Sequence, residues 1–309
     1  MIKTIADDIT GAAEMAAVWA EKESVFIHWP AQHIPHAVLN LGMRYMSNAQ
    51  SASYLKTLPA PRYLENSVPQ DLFIKIDAYL RGPVVPLIKW ASAFFHPDAA
   101  VICPVLPDRH LAVRHRRLWV ENEPLENIPA AQPQERQTPL DLTILAQTLW
   151  PHAPIFEACD HADLSSMAVF IPDAMHWDDV SHCIHPLRTT YRRILWIGAG
   201  GLMESLAQTH PKILESTQWP ATASIRVAVG SPHETAHLQM RRLSQNYPLF
   251  SIKNDRRYSN LPRISLFTDQ DQTAITPEER RIQWHRWARS QPISSKPTLW
   301  ILTGGDTAD

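Results

Sequence analysis

Glycine is scarce in this chain, with nine among 309 residues, and cysteine is scarcer still, with three. No apolar run approaches the roughly 20 residues needed to cross a bilayer. The opening "MIKTIADD" enters a strand without the apolar core of a signal peptide, so a cytoplasmic location is expected. An excess of either charge is also missing: 29 basic residues face 31 acidic ones, which argues against a nucleic-acid or membrane surface as the main partner. The basic run from Arg109 to Arg117 has only Trp119 beside it as an aromatic, so it reads as a loop over an anionic cleft or as a solvated surface. Cys103, Cys159 and Cys183 share no pairing or metal-type spacing and fit a reducing compartment. The "HCIH" stretch lies in a helix-like run, where His182 and His185 are expected as a surface pair rather than metal ligands.

Against that background the few glycines are informative. Gly11, Gly82, Gly198, Gly200, Gly201, Gly230, Gly304 and Gly305 all follow or open an element. Between them, short β-branched or apolar runs alternate with helical patterns: "IKTIA", "AVLNLG", "DLFIKID", "AAVICPVL", "AVFIP" and "RILWIGA" each precede or follow a helix-like stretch. This alternation predicts an α/β fold with a parallel sheet under covering helices. "RRLWVENEPL", from Arg116 to Leu125, alternates instead and predicts an inserted hairpin.

The length permits two domains. The polar, proline-containing stretch Thr209 to Ser224 reads as a linker between an α/β domain over 1–210 and a second, incomplete α/β domain over 224–309. The second opens on the strand "SIRVAVG" and a helix with Ser231 as N-cap, Pro232 at its first position and Glu234 three residues on, a capping box. "TPEE" at Thr276 repeats the device, and "TLWIL" is the last strand, for about four strands and two helices.

Five places carry candidate chemistry. Asp7 and Asp8 stand at the end of the first strand, where open α/β sheets bind ligands. Two adjacent carboxylates cannot both be buried without partners, so at least one is expected to face a cleft; the alternative is that Asp8 simply caps the helix that follows. Lys75, Asp77 and Arg81 in "KIDAYLRGP" follow another strand, where a lysine and an arginine suit a carboxylate or phosphate; a surface ion pair is the alternative. "GAGGLM" could serve backbone approach to a ligand or tight packing. As a dinucleotide fingerprint it lacks the last glycine, Met203 standing there. "VGSPHET" and "TGGDT" are two strand-to-loop junctions whose backbone amides could together cradle a triphosphate.

Taken in order, these motifs resemble the four-carbon acid-sugar kinase family. Ala6 to Gly11 are similar to its "ADD-[LF]-TG" opening, Lys75 to Gly82 to its "KiDSTLRG" block, and Gly198 to Leu202 to its glycine-rich turn. Gly230-Ser231 are similar to its "GS" motif and Gly304 to Thr307 to its "GG[DE]T" loop. The resemblance runs over nearly the whole chain. It implies ATP-dependent phosphorylation of a sugar acid such as threonate, erythronate or an oxo derivative, usually with Mg²⁺. On this resemblance Asp7 and Asp8 hold or activate the substrate hydroxyl. Lys75, Asp77, Arg81 and Arg44 bind the substrate, and Ser231, Gly304, Gly305, Asp306 and Thr307 touch ATP.

The chain departs from the family where Ala78 and Tyr79 replace a Ser-Thr pair, where "CPVLPDRHLAV" lacks a central glycine, and where Met43 precedes Arg44. Family members also continue past the Gly-Gly loop, so the nucleotide domain reads as truncated and a second polypeptide is a candidate for completing it. A non-catalytic sugar-acid-binding relative is the alternative function. The eleven tryptophans admit a homo-oligomer.

Overall fold

The computed structural model describes residues 2–20, 25–28, 37–58, 71–128, 137–157, 159, 166–208, 224–230, 234–252, 261–268, 277–291 and 298–303. By its internal contacts the chain divides into two compact units, Met1–Leu214 and Glu215–Asp309.

Unit 1 is built on β1 (Lys3–Ala6), β2 (Phe26–His28), β3 (Ala37–Asn40), β4 (Asp71–Lys75), β5 (Ala99–Cys103), β9 (Ile155–Phe156), β10 (Ala168–Phe170) and β11 (Ile194–Gly198). They form one eight-stranded sheet in the order β2-β3-β1-β4-β11-β5-β10-β9, with every pair parallel. β5 and β11 are apolar and buried throughout, and β4 is so at its three central residues, as strands covered on both faces must be. The cover comes from α1 (Ile9–Ala20), α2 (Asn48–Thr57), α3 (Val84–Phe95), α4 (Leu142–Leu149), α5 (Trp177–Thr190) and α6 (Gly200–Gln208). α1, α6 and α5 pack in one group, and α2, α3 and α4 in another. The right-handed rule for parallel crossovers sets the two groups on opposite faces. Phe73, Trp196, Trp19, Phe95 and Phe170 fill the core between these layers.

The inserted hairpin expected at 116–125 is larger than the pattern implied. It is a three-stranded antiparallel meander of β6 (Leu111–Arg114), β7 (Arg117–Val120) and β8 (Glu123–Pro124). It starts earlier because Leu111, Ala112 and Val113 are buried, and it turns at His115 and Arg116, both at positive φ without glycine.

Unit 2 holds β12 (Ser224–Val229), β13 (Leu249–Ser251), β14 (Ile264–Thr268) and β15 (Thr298–Thr303), parallel in the order β13-β14-β12-β15, with α7 (Glu234–Ser244) and α8 (Pro277–Ser290). Ala228 and Phe267 pack against Trp284 and Trp287 of α8, while Val229 and Leu266 pack with Met240 of α7. Successive strand residues point to opposite faces, so the two helices cover the two sides. The four strands and two helices read from the sequence are present. The Ser231 capping box and most of the proposed linker lie outside the described residues.

Cys159 and Cys183 form a disulfide, with Cα atoms 5.1 Å apart, which overturns the reading of unpaired cysteines. Cys159 lies beside Cys183 of α5, an adjacency that the 24-residue separation does not announce. Cys103 stays buried and free, and burial pushes its thiol up to about 12. His182 and His185 both stand exposed on α5, as expected. No described helix is long and apolar enough to cross a membrane.

Candidate functional site

The chain moves outward from β1 to β3 on one side and to β4 on the other, so β1 and β4 flank a topological switch point. Open parallel sheets leave a crevice there, beyond the carboxyl ends of the strands. Asp7 and Asp8 leave β1 at that edge, Arg44 follows β3, Asp77 follows β4, and Gly198 ends β11. Backbone bonds fix these exits against one another: Met43 N donates to Asp7 O at 2.7 Å, and Ile76 N to Gly198 O at 3.0 Å.

Arg44 is the hub. Its Nε donates to Asp7 Oδ2 at 2.5 Å and its Nη2 to Asp7 Oδ1 at 2.8 Å, a bidentate pair. The same guanidinium reaches Asp8 Oδ1 at 3.3 Å and Asp77 Oδ1 at 3.4 Å. Burial opposes the charge on Arg44, but the carboxylate of Asp7, then those of Asp8 and Asp77, raises its pKa well above the usual range. Asp7 is shielded almost completely, and that burial raises its pKa against the opposing pull of Arg44.

Asp77 organises the turn that follows β4. Its Oδ2 accepts from the backbone of Tyr79 and Arg81, and Arg81 grips it through Nε at 2.9 Å and Nη2 at 2.6 Å. Burial alone would raise its pKa. The Arg81 hydrogen bond and the charges of Arg44 and Arg81 outweigh that and hold it down to about 2. Leu80, buried within this turn, sits at φ 56°, in the left-handed region. Gly82 follows at φ 78°, and a β-carbon there would meet Arg44 Cδ at 3.0 Å and Asp7 Oδ2 at 3.1 Å.

The helix-capping alternative for Asp8 is realised: its Oδ1 accepts from Gly11 N at 2.8 Å and its Oδ2 from Thr10 Oγ1 at 2.7 Å. Lys75 does not join the arginines. Its ammonium lies along α1 and pairs with Glu14 at 2.9 Å. Glu14 is the site residue that the sequence reading missed. Its only signal was its place three residues after Gly11, on the same helix face. Four carboxylates thus meet three cations at one sheet edge.

The family model for a sugar-binding N-terminal domain matches residues 2–206 of the chain. The chain belongs to this family. No curated protein matches it. Among solved structures, it resembles a domain of unknown function (DUF1537) from Bordetella bronchiseptica, a domain-swapped dimer with bound citrate. That likeness has 20% identity and a TM-score of 0.56, covering 99% of this chain and 84% of that one. A Salmonella typhimurium LT2 protein is 18% identical with a TM-score of 0.70, over 99% and 86% of the two chains. A Haemophilus influenzae DUF1537 protein is 14% identical with a TM-score of 0.66, over 99% and 87%. At these identities the structural likeness establishes the fold.

Within the sugar-binding domain, the glycine-rich turn serves close packing. A β-carbon on Gly198 would lie 2.6 Å from Cys103 O, one on Gly201 2.6 Å from Val105 O, and one on Gly200 would fall on Glu14 Oε1. The departure at Ala78-Tyr79 also has a structural counterpart: both residues join Leu106, Leu111, Val120 and Ala199 in a small apolar cluster beside the ionic one. Ser231, Gly304, Gly305, Asp306 and Thr307 lie outside the described residues. β12 and β15 are nonetheless neighbours, with their last residues, Val229 and Thr303, opposite each other. Among the described residues no group of three or more His, Cys, Asp or Glu could hold a metal ion.

Proposed function

We propose that the chain binds a small hydroxylated carboxylic acid of the four-carbon type at the carboxyl edge of the unit 1 sheet and phosphorylates it with ATP. The observation that carries this is the convergence of Arg44, Asp7, Asp77 and Arg81 at the β1–β4 switch point of a sugar-binding domain. Arg81, the most exposed cation there, is the carboxylate contact. Asp77 locks its Nε and Nη2 edge in place, and its raised pKa keeps it charged at any working pH. The citrate bound in the Bordetella relative supports a small acid as the ligand class. In unit 2 the Gly230-Ser231 and Gly304 to Thr307 motifs, which follow the neighbouring strands β12 and β15, are assigned to the phosphate chain, because backbone amides at strand-to-helix junctions hold anions. Mg²⁺ then enters with the ATP phosphates rather than through a protein cage. Phosphoryl transfer asks of this chain mainly positioning and neutralisation of spread charge.

A second reading has its own support. Asp8 is committed to capping α1 and Asp7 is buried in its pair with Arg44, which favours a domain that binds the acid without acting on it. The purified chain is to be tested with threonate, erythronate and 3-oxo-tetronate plus Mg·ATP, following ADP formation and, by calorimetry, acid binding. ADP formed only with a sugar acid present supports the kinase. Acid binding without ATP binding supports the second reading, and binding of neither refutes both.

A further inference from the structure

Of the four carboxylates at the sheet edge, three are spoken for. Asp7 is 2% exposed and paired with Arg44, Asp8 is 10% exposed and caps α1, and Asp77 is 9% exposed and holds the turn and Arg81. Glu14 differs. Its side chain is 41% exposed, and one oxygen, Oε2, is fixed by the buried ammonium of Lys75 at 2.9 Å. Its other oxygen, Oε1, occupies the space left by the missing side chain of Gly200. Gly11 plays the matching part for Lys75, since a β-carbon there would press on Lys75 Cγ at 3.1 Å. Two glycines on different helices therefore leave room for one ion pair whose acid end reaches solvent. An oriented, accessible carboxylate held by a buried cation is a hydrogen-bond acceptor, and it bears no donor for a ligand carboxylate.

We infer that Glu14 is the specificity residue that accepts a hydroxyl of the bound acid, while Arg81 takes its carboxylate, so that the site distinguishes polyhydroxylated acids from their deoxy counterparts. This rests on the small-acid reading above. It extends that reading by naming the group that recognises the hydroxyl. Lys75 serves as a positioning residue, acting through Glu14 rather than on the ligand.

The test is calorimetric titration of the full chain with 2,3,4-trihydroxybutanoate (both diastereomers) and with the corresponding dihydroxybutanoates. The wild type should bind at least one trihydroxy acid about tenfold or more tighter than an analogue lacking one hydroxyl, as expected for a hydrogen bond to a charged group. Glu14→Gln keeps only a neutral acceptor and should cut that preference by about threefold or more, and Glu14→Asp should restore part of the difference. A merely structural Glu14–Lys75 pair would weaken both ligands equally and keep their ratio, and that result would overturn the inference. If Glu14→Gln does not fold, Gly200→Ala, which displaces Oε1, must produce the same loss of discrimination, and an unchanged ratio in it is equally fatal. A wild type that binds none of these acids refutes the small-acid reading itself, whereas binding with an unaltered ratio in the variants refutes only the role of Glu14.

Discussion

Arg44 and Asp7 meet through two nearly parallel hydrogen bonds, 2.5 and 2.8 Å long, with Asp7 shut away from solvent and Arg44 almost so. The pair ties the exit of β1 to the exit of β3. Removing one partner of such a buried pair strands the other's charge, which costs about 3–5 kcal/mol. Arg44→Ala is therefore expected to lower the stability of unit 1 by that amount, read from its urea midpoint. Asp7→Asn keeps a hydrogen-bond acceptor and relieves an ionisation that burial opposes, so it should cost less. Equal losses in the two variants would contradict this account.

The pH dependence has a definite sign. Asp77 is held at about 2 in the folded chain, below the roughly 3.9 of an unfolded aspartate. Its contribution is thus fully present above about pH 4 and is lost as pH falls through its folded value, amounting to about 2–3 kcal/mol. Asp7 has the opposite sign: its raised pKa makes ionisation a cost that disappears on acidification. Chemical denaturation between pH 2 and 5 should show a falling acid limb that Asp77→Asn flattens, and a limb as steep as in the wild type would count against it.

Gly82 stands at φ 78°, and a β-carbon there would press on Arg44 and Asp7. Gly82→Ala imposes both a disfavoured backbone and a contact on the hub of the ionic cluster. A loss of about 1–3 kcal/mol is expected, together with weaker acid binding. Thermal melting and titration of the variant check the two effects separately.

The Cys159–Cys183 bridge closes a loop of 24 residues, and closing such a loop stabilises by roughly 3 kcal/mol. A reducing agent, or Cys183→Ser, should lower the melting midpoint of unit 1, and alkylation mass spectrometry of the denatured but unreduced protein should find one free thiol, that of Cys103. Three alkylated cysteines without reductant would be the contrary outcome.

Much of the fold was legible in the residues. Strands buried on both faces are apolar where they cross the core, so the middle of "DLFIK" and the whole of "AAVIC" and "ILWIG" announced the middle of the sheet. The strand-end positions of Asp7, Asp8, Lys75, Asp77 and Arg81 were readable for the same local reason. Their partners were not. Whether Asp8 faced a cleft or capped α1, and whether Lys75 joined Arg81 or turned to Glu14, depended on which helix lay within reach across the sheet edge. The spacing of Cys159 and Cys183 carried no hint of their bond, because the return of β10 and α5 set their distance. Backbone periodicity is a local property written in neighbouring side chains, whereas ion pairing and disulfide geometry depend on distances between segments far apart in the chain, which exist only once the sheet order is in place.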